Sequence, residues 1–209
     1  MDVRELKPRL WYWTAPHPEW TPDSAGENGW EQEVGCYAYV SADERAPALI
    51  DPLVPAEGEE EFWAALDGDV EHHGPPNVLL TCRWHYRSSD QILDRYEGAR
   101  TWVYTPAVAE TAKSTRVTDS FELDDPLPAG IEAHLTFGET QEVAYRIPEY
   151  GAIVTGDVLA RAPGKDVRVW WADRERLQAL LDRGVELLLL THGEPVLEGG
   201  GDALRRALG

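Results

Sequence analysis

The chain has 209 residues, 43% of them hydrophobic, enough to enclose a substantial core in a single domain spanning residues 1–209. Against 19 basic residues stand 38 acidic ones, and the resulting formal charge of −19 repels a polyanion over most of the surface, so nucleic acid is set aside as a partner. Two cysteines, Cys36 and Cys82, do not make a disulfide framework. The opening Met1-Asp2-Val3-Arg4-Glu5-Leu6-Lys7 has no apolar signal region, and no stretch approaches the roughly 18 uncharged apolar residues of a membrane span. A cytoplasmic protein without a membrane partner is expected.

Along the chain, Leu10 to Trp13 reads as a short strand, followed by a proline- and glycine-rich loop from Pro16 to Gly29. The β-propensity of Val34 to Val40 predicts a second strand, and Pro47 to Ile50 a third that stops at Asp51-Pro52. Phe62, Trp63 and Leu66 have helical spacing within Glu59 to Leu66. A β-α-β unit follows, from the apolar run Asn77 to Thr81 through a helix at Ser88 to Tyr96 to a strand at Thr101 to Tyr104. Phe121 to Leu123, Ile131 to Leu135, Glu142 to Ile147 and Ala152 to Thr155 read as a meander of strands. A helix from Asp173 to Leu181, with Asp173 as N-cap and Gly184 as C-cap, leads to the strand Glu186 to Leu190, whose apolar run suits burial on both faces. Asp202 to Leu208 closes the chain as a helix.

Three polar clusters come directly after apolar strands: Cys82-Arg83-Trp84-His85-Tyr86-Arg87 after Leu79 to Thr81, Gly156-Asp157 after Ile153 to Thr155, and Thr191-His192-Gly193-Glu194-Pro195 after Leu188 to Leu190. Loops at the carboxyl ends of strands project polar groups while the sheet stays packed, so these clusters are expected to converge on one pocket. Nine tryptophans are many for this length. Trp170-Trp171 suits either a pocket wall or a wedge between packed elements.

The order of these segments resembles the metallo-β-lactamase superfamily from about Tyr37 to the C-terminus. The resemblance is carried by Ala48-Leu49-Ile50-Asp51-Pro52, Leu80-Thr81-Cys82 through Arg87, Phe137-Gly138-Glu139-Thr140, Thr155-Gly156-Asp157-Val158-Leu159 and Thr191-His192-Gly193-Glu194-Pro195. It implies an α+β fold, a four-layer αββα sandwich of two β-sheets packed face to face with helices outside and the site along one edge. Hydrolases of the family hold two metal ions on a His-x-His-x-Asp-His motif and later ligands. In this sequence Cys82, Trp84, Tyr86 and Arg87 stand at the four motif positions, and His85 falls on a spacer. Glu139 stands where a histidine is usual, Asp157 matches the bridging aspartate, and His192 matches the final histidine.

The resemblance therefore implies a degraded two-metal site. Cys82, Glu139, Asp157 and His192 remain able to ligate one zinc or other divalent ion, but Arg87 opposes a cation and Trp84 fills the volume of one, so no cofactor is the first expectation. Each residue also has a plainer role: Cys82 as a small buried hydrophobe, His192 as a backbone hydrogen-bonder, Asp157 as an Asx turn and Asp51 as a turn-former. His17, His72 and His73 are expected to be exposed.

Three functions follow. The first is a metal-free, non-catalytic binding protein with an Arg87–Asp157/Glu139 ion pair in place of the metals and Trp84, Tyr86, Arg87 and Trp170 around a small-molecule pocket. The second is a hydrolase of small ester, thioester or lactone substrates, using one retained metal or the Asp157–His192 pair. The third is a metal-independent lyase or isomerase with His85 or His192 as base. A homodimer is expected only because two-fold dimers are the commonest oligomers.

Overall fold

The computed structural model describes residues 3–25, 29–43 and 46–209. In the first sheet β1 (Val3–Lys7), β2 (Leu10–Pro16), β3 (Glu33–Tyr39), β4 (Ala48–Ile50), β5 (Asn77–Leu79), β6 (Arg100–Tyr104) and β7 (Asp119–Phe121) lie in chain order, antiparallel as far as β4 and parallel from β4 to β7. The second sheet holds β8 (Glu132–Phe137), β9 (Glu142–Ile147), β10 (Ala152–Ala160), β11 (Arg168–Val169) and β12 (Leu187–His192), with β12 parallel to β10. Helices α1 (Glu59–His73), α2 (Ser89–Arg95) and α3 (Val108–Thr111) cover the first sheet, and α4 (Arg174–Leu181) and α5 (Gly200–Leu208) cover the second.

Period-two alternation explains the layering. In β2 and β3, Leu10, Tyr12, Tyr37 and Tyr39 enter the core between the sheets, while Trp13, Ala15, Val34 and Cys36 face the helices. In β12, Leu187 and Leu189 turn to the other sheet and Leu188 and Leu190 to the helices. Strands covered on both faces have no polar side to show, which is why β12 reads as an unbroken apolar run.

Two tyrosines tie the sheets together at the level where the strands end. Tyr37 of β3 donates its hydroxyl to the Leu190 carbonyl of β12 (2.6 Å), and Tyr145 of β9 donates to the Leu80 carbonyl just past β5 (2.8 Å). Both phenols are fully buried, where an unpaired hydroxyl costs several times what the bond contributes net.

The sequence reading departs from the fold in several places: α3 and β11 are not foreseen, and α1 runs past Leu66 to His73. β1 is missed because its exposed, charged Val3–Lys7 has no apolar face. β7 does not belong to the meander; it ends the first sheet beside β6, and the meander is β8, β9 and β10 alone. β10 does not stop at Thr155: it runs on to Ala160, paired with β12 on both sides of a register shift (Thr155 opposite Leu190, Ala160 opposite His192), while along its other edge β9 gives way to β11 (Val154 opposite Tyr145, Leu159 opposite Val169). Asp157 sits at that break. No helix among the described residues is long and apolar enough to cross a membrane.

Gly156 is required for space. A Cβ there would lie 2.5 Å from Thr81 Oγ1 and 2.7 Å from Glu142 Oε1, both buried and already hydrogen-bonded. Gly156→Ala is expected to cost about 2–3 kcal/mol of folding stability, an overpacking penalty, measured by urea denaturation; a loss under about 0.5 kcal/mol, typical of a surface change, would show the neighbours yielding freely.

Candidate active site

The site lies where the carboxyl ends of β4, β5, β10 and β12 meet. Asp51 follows β4 with φ +48°, a conformation that a short polar side chain tolerates better than most. Its carboxylate, fully buried, accepts hydrogen bonds from the Thr81 amide (2.9 Å), the Thr81 hydroxyl (2.5 Å) and His85 Nδ1 (2.7 Å). His85 Nδ1 therefore carries a proton. The other ring nitrogen, Nε2, faces Asp157 Oδ1 at 3.1 Å, and His192 Nε2 faces the same oxygen at 2.9 Å. Two carboxylates and two imidazoles thus alternate, Asp51, His85, Asp157, His192, across the seam between the sheets.

Charge balance follows from these contacts. Burial disfavours an imidazolium at His85, and against it Cys82, then Asp51 and Asp157 at its two nitrogens, raise the ring's pKa above its usual value. The Cys82 thiol contributes only when ionised, and burial pushes that thiol up to about 12, so at neutral pH the upward pull comes from the carboxylates alone and is smaller. Burial likewise opposes ionisation of Asp157, yet His85 and His192 draw it well below the carboxylate range. His192 moves down because burial exceeds the pull of Asp157. Glu142, first residue of β9, is raised well above its usual value, mainly by burial and then by Asp157; its Oε1 accepts from the Val158 amide (3.0 Å).

The cluster opens onto a cleft of about 560 Å³ walled by Trp30, Trp84, Tyr86 and Trp170, with Arg87 and His17 at its sides. Edge-on ring contacts run from His17 to Trp30 (5.1 Å between centroids), Trp30 to His192 (5.3 Å) and His192 to Trp170 (5.3 Å). Asp157 reaches the cleft most, its side chain 21% exposed against 5% for His85 and 8% for His192.

The residues singled out in the sequence divide clearly. Asp157, His192 and His85 come together; Trp84, Tyr86, Arg87 and Trp170 all line the cleft. Glu139 does not join them. It is exposed in the turn between β8 and β9, and the buried carboxylate beside Asp157 is Glu142, which strand alternation turns inward. Arg87 does not replace a metal by pairing with Asp157 or Glu139; its Nη1 donates to the carbonyls of Asp51 (2.8 Å) and Gly35 (3.3 Å). Trp84 does not fill an ion's volume, being 45% exposed with the Arg83 guanidinium over its ring. Asp51 is more than a turn-former, and His17 is half-buried on the cleft wall. The Asp51 signal was present in the sequence, in an acid directly after an apolar strand that ends level with Thr81.

Metal-ligating atoms of Cys82, His85 and Asp157 lie within 4.8 Å of one another, a donor set of sulfur, nitrogen and oxygen that suits zinc. His192 stands beside that group, its Nε2 on Asp157 Oδ1 at 2.9 Å. Two imidazoles sharing one zinc through nitrogens about 2.1 Å away hold their ring centres roughly 5–6 Å apart, and His85 and His192 are 5.8 Å apart. Asp51 behind His85 is the carboxylate–histidine support that metal-binding imidazoles use.

Solved structures show the class of fold. The chain has the metallo-β-lactamase fold, the α+β sandwich that the sequence resemblance implied. The metallo-β-lactamase from Pontibacter korlensis superposes with a TM-score of 0.71 at 14% identity, covering 99% of this chain and 98% of that one. DIM-1 metallo-β-lactamase exposed to ceftazidime gives 0.70 at 13% identity, with 99% and 95% covered. A metallo-β-lactamase family protein from Thermus thermophilus gives 0.62 at 20% identity, with 97% and 79% covered. No family model matches the sequence, and no curated protein matches it.

Asp51→Asn removes the charge behind His85 and is expected to cost about 3 kcal/mol, as breaking a buried pair does. The raised pKa of His85 gives a sign: its stabilisation is fully present below its usual value of 6.5 and is lost as pH rises through the folded value. Urea denaturation of metal-free protein should show stability falling as pH rises above about 6.5, and falling less in Asp51→Asn. Equal slopes would refute a cationic His85.

Proposed function

We propose that this chain is a divergent member of the metallo-β-lactamase superfamily that hydrolyses small carbonyl compounds, such as esters, thioesters or lactones, in the cleft above Asp157. One divalent ion, zinc by the chemistry of its donors, would be held by Cys82, His85 and Asp157, with His192 beside Asp157. The observation that carries this reading is the single oxygen of Asp157 facing two imidazole nitrogens. Because Asp51 takes the proton on His85 Nδ1, a neutral His85 turns a lone pair toward a carboxylate oxygen. A cation must lie between them, either a proton or a metal.

A bound zinc ion lowers the pKa of its water and polarises a carbonyl. The chain's own groups supply the rest. Asp51 fixes the ring of His85, Trp30 and Trp170 confine His192 edge-on, and Asp157 orients water from the floor of the cleft by accepting its hydrogen bond. Trp84, Tyr86 and Trp170 shield the apolar part of a substrate from solvent.

A metal-free reading, with a small-molecule binding protein in place of an enzyme, draws on the same contact, since one proton on His85 also closes it. Metal analysis separates the two. Protein purified without chelator is expected to carry about one zinc per chain, as a three-ligand site does, to lose it in His85→Ala and Cys82→Ser, and to hydrolyse 4-nitrophenyl acetate only when loaded. Protein that neither retains zinc nor takes it up on titration would overturn the hydrolase and leave the binding protein.

A further inference from the structure

The β2–β3 connection brings to the cleft a histidine whose hydrogen-bonding is half used. His17 Nδ1 accepts the backbone amide of Glu19 (3.3 Å), so the proton of the neutral ring is on Nε2. The ring stands edge-on to Trp30 and lines the cleft with Asp157, His192 and Trp170. The charged groups that bear on it are those of the site itself, Arg87, His85, His192 and Asp157. Burial first, and then those cations, lower its pKa to about 4, which keeps the ring neutral and its tautomer fixed at physiological pH.

Three carboxylates, Asp157, Glu19 and Asp90 (the last paired with Arg116), line the same cleft against one guanidinium, Arg87, while Trp30, Trp84, Tyr86 and Trp170 offer flat apolar walls. An anionic ligand meets more like charge than opposite charge there. A neutral one with a flat body and a hydrogen-bond-accepting oxygen meets complementary surfaces.

We infer that the cleft takes neutral carbonyl compounds built on a flat, apolar body, and that the Nε2–H of His17 donates a hydrogen bond to the carbonyl oxygen. This deepens the hydrolase reading by naming its substrate class and a substrate-contacting residue that owes nothing to the metal-ligand positions. The donor comes from the loop after β2, on the same cleft that Asp157 lines. Tryptophans on the cleft wall report occupancy directly.

The test is a titration of the purified protein with phenylacetamide, a neutral aryl carbonyl compound that resists hydrolysis, followed by tryptophan fluorescence, with phenylacetate as the anionic comparison. Phenylacetamide is expected to quench saturably and phenylacetate to bind at least about tenfold more weakly. His17→Phe keeps a ring against Trp30 but has no N–H, and is expected to weaken phenylacetamide about tenfold, the value of one hydrogen bond. His17→Gln, which can still donate, should stay within about threefold of the parent. Zinc content is measured on the same samples and should not change in either variant. Parent-like affinity in His17→Phe, equal loss in both variants, or failure of the parent protein to bind phenylacetamide would each overturn the inference. Because the readout is binding, absence of zinc or of ester hydrolysis overturns the enzyme proposal without touching this one.

Discussion

One carboxylate oxygen, Asp157 Oδ1, holds the two halves of the site together. From the first sheet comes His85, backed by Asp51; from the second comes His192; both nitrogens close on that oxygen at 3.1 and 2.9 Å. Every other feature of the site serves this arrangement. Thr81 gives two hydrogen bonds to Asp51, so that acid keeps one orientation behind the ring. Burial and Asp157 push Glu142 toward its protonated form, which lessens the competition of a second negative charge for the same imidazoles.

The position of Asp157 depends in turn on a break in the β10 ladders. Pairing with β12 lapses between Thr155 and Ala160, and on the other edge pairing with β9 ends at Val154 and pairing with β11 starts at Leu159, so the residues between are free of either ladder. A strand interrupted in this way can turn a side chain out of the pleat without unpairing the core, as bulges next to active sites do. Gly156 lets Thr81 and Glu142 close over the backbone at that point.

Much of this was legible in the residues. Apolar runs ending in polar clusters placed β5, β10 and β12 and the convergence of Asp157, His192 and the Cys82–Arg87 segment. β-Propensity and unbroken apolar runs were enough for β3, β9 and β12, whose neighbours cover them on both sides. What could not be read was how the segment after Thr81 turns. Matching it position by position to a linear motif put His85 on a spacer and Arg87 on a ligand, whereas the loop's path, with Arg87 at φ +33°, brings His85 inward and sends the guanidinium to carbonyls of Gly35 and Asp51. Glu139 was likewise chosen by alignment, while the pleat selects Glu142 three residues on. Linear spacing records which residues are near a site; side-chain direction depends on turns and pairings that only the assembled sheets define.

The tyrosine cross-ties have a mechanical meaning. Tyr37 and Tyr145 reach in opposite directions over the interface, each gripping a carbonyl next to a segment that delivers a site residue. Shear between the layers would stretch both bonds before it separated the imidazoles, so the pair acts as a gauge block setting the width of the junction. Rigidity there is a property of the interior rather than of the cleft lining, and softening it would first be felt as poorer grip on whatever cation bridges the layers, well before the sandwich itself came apart.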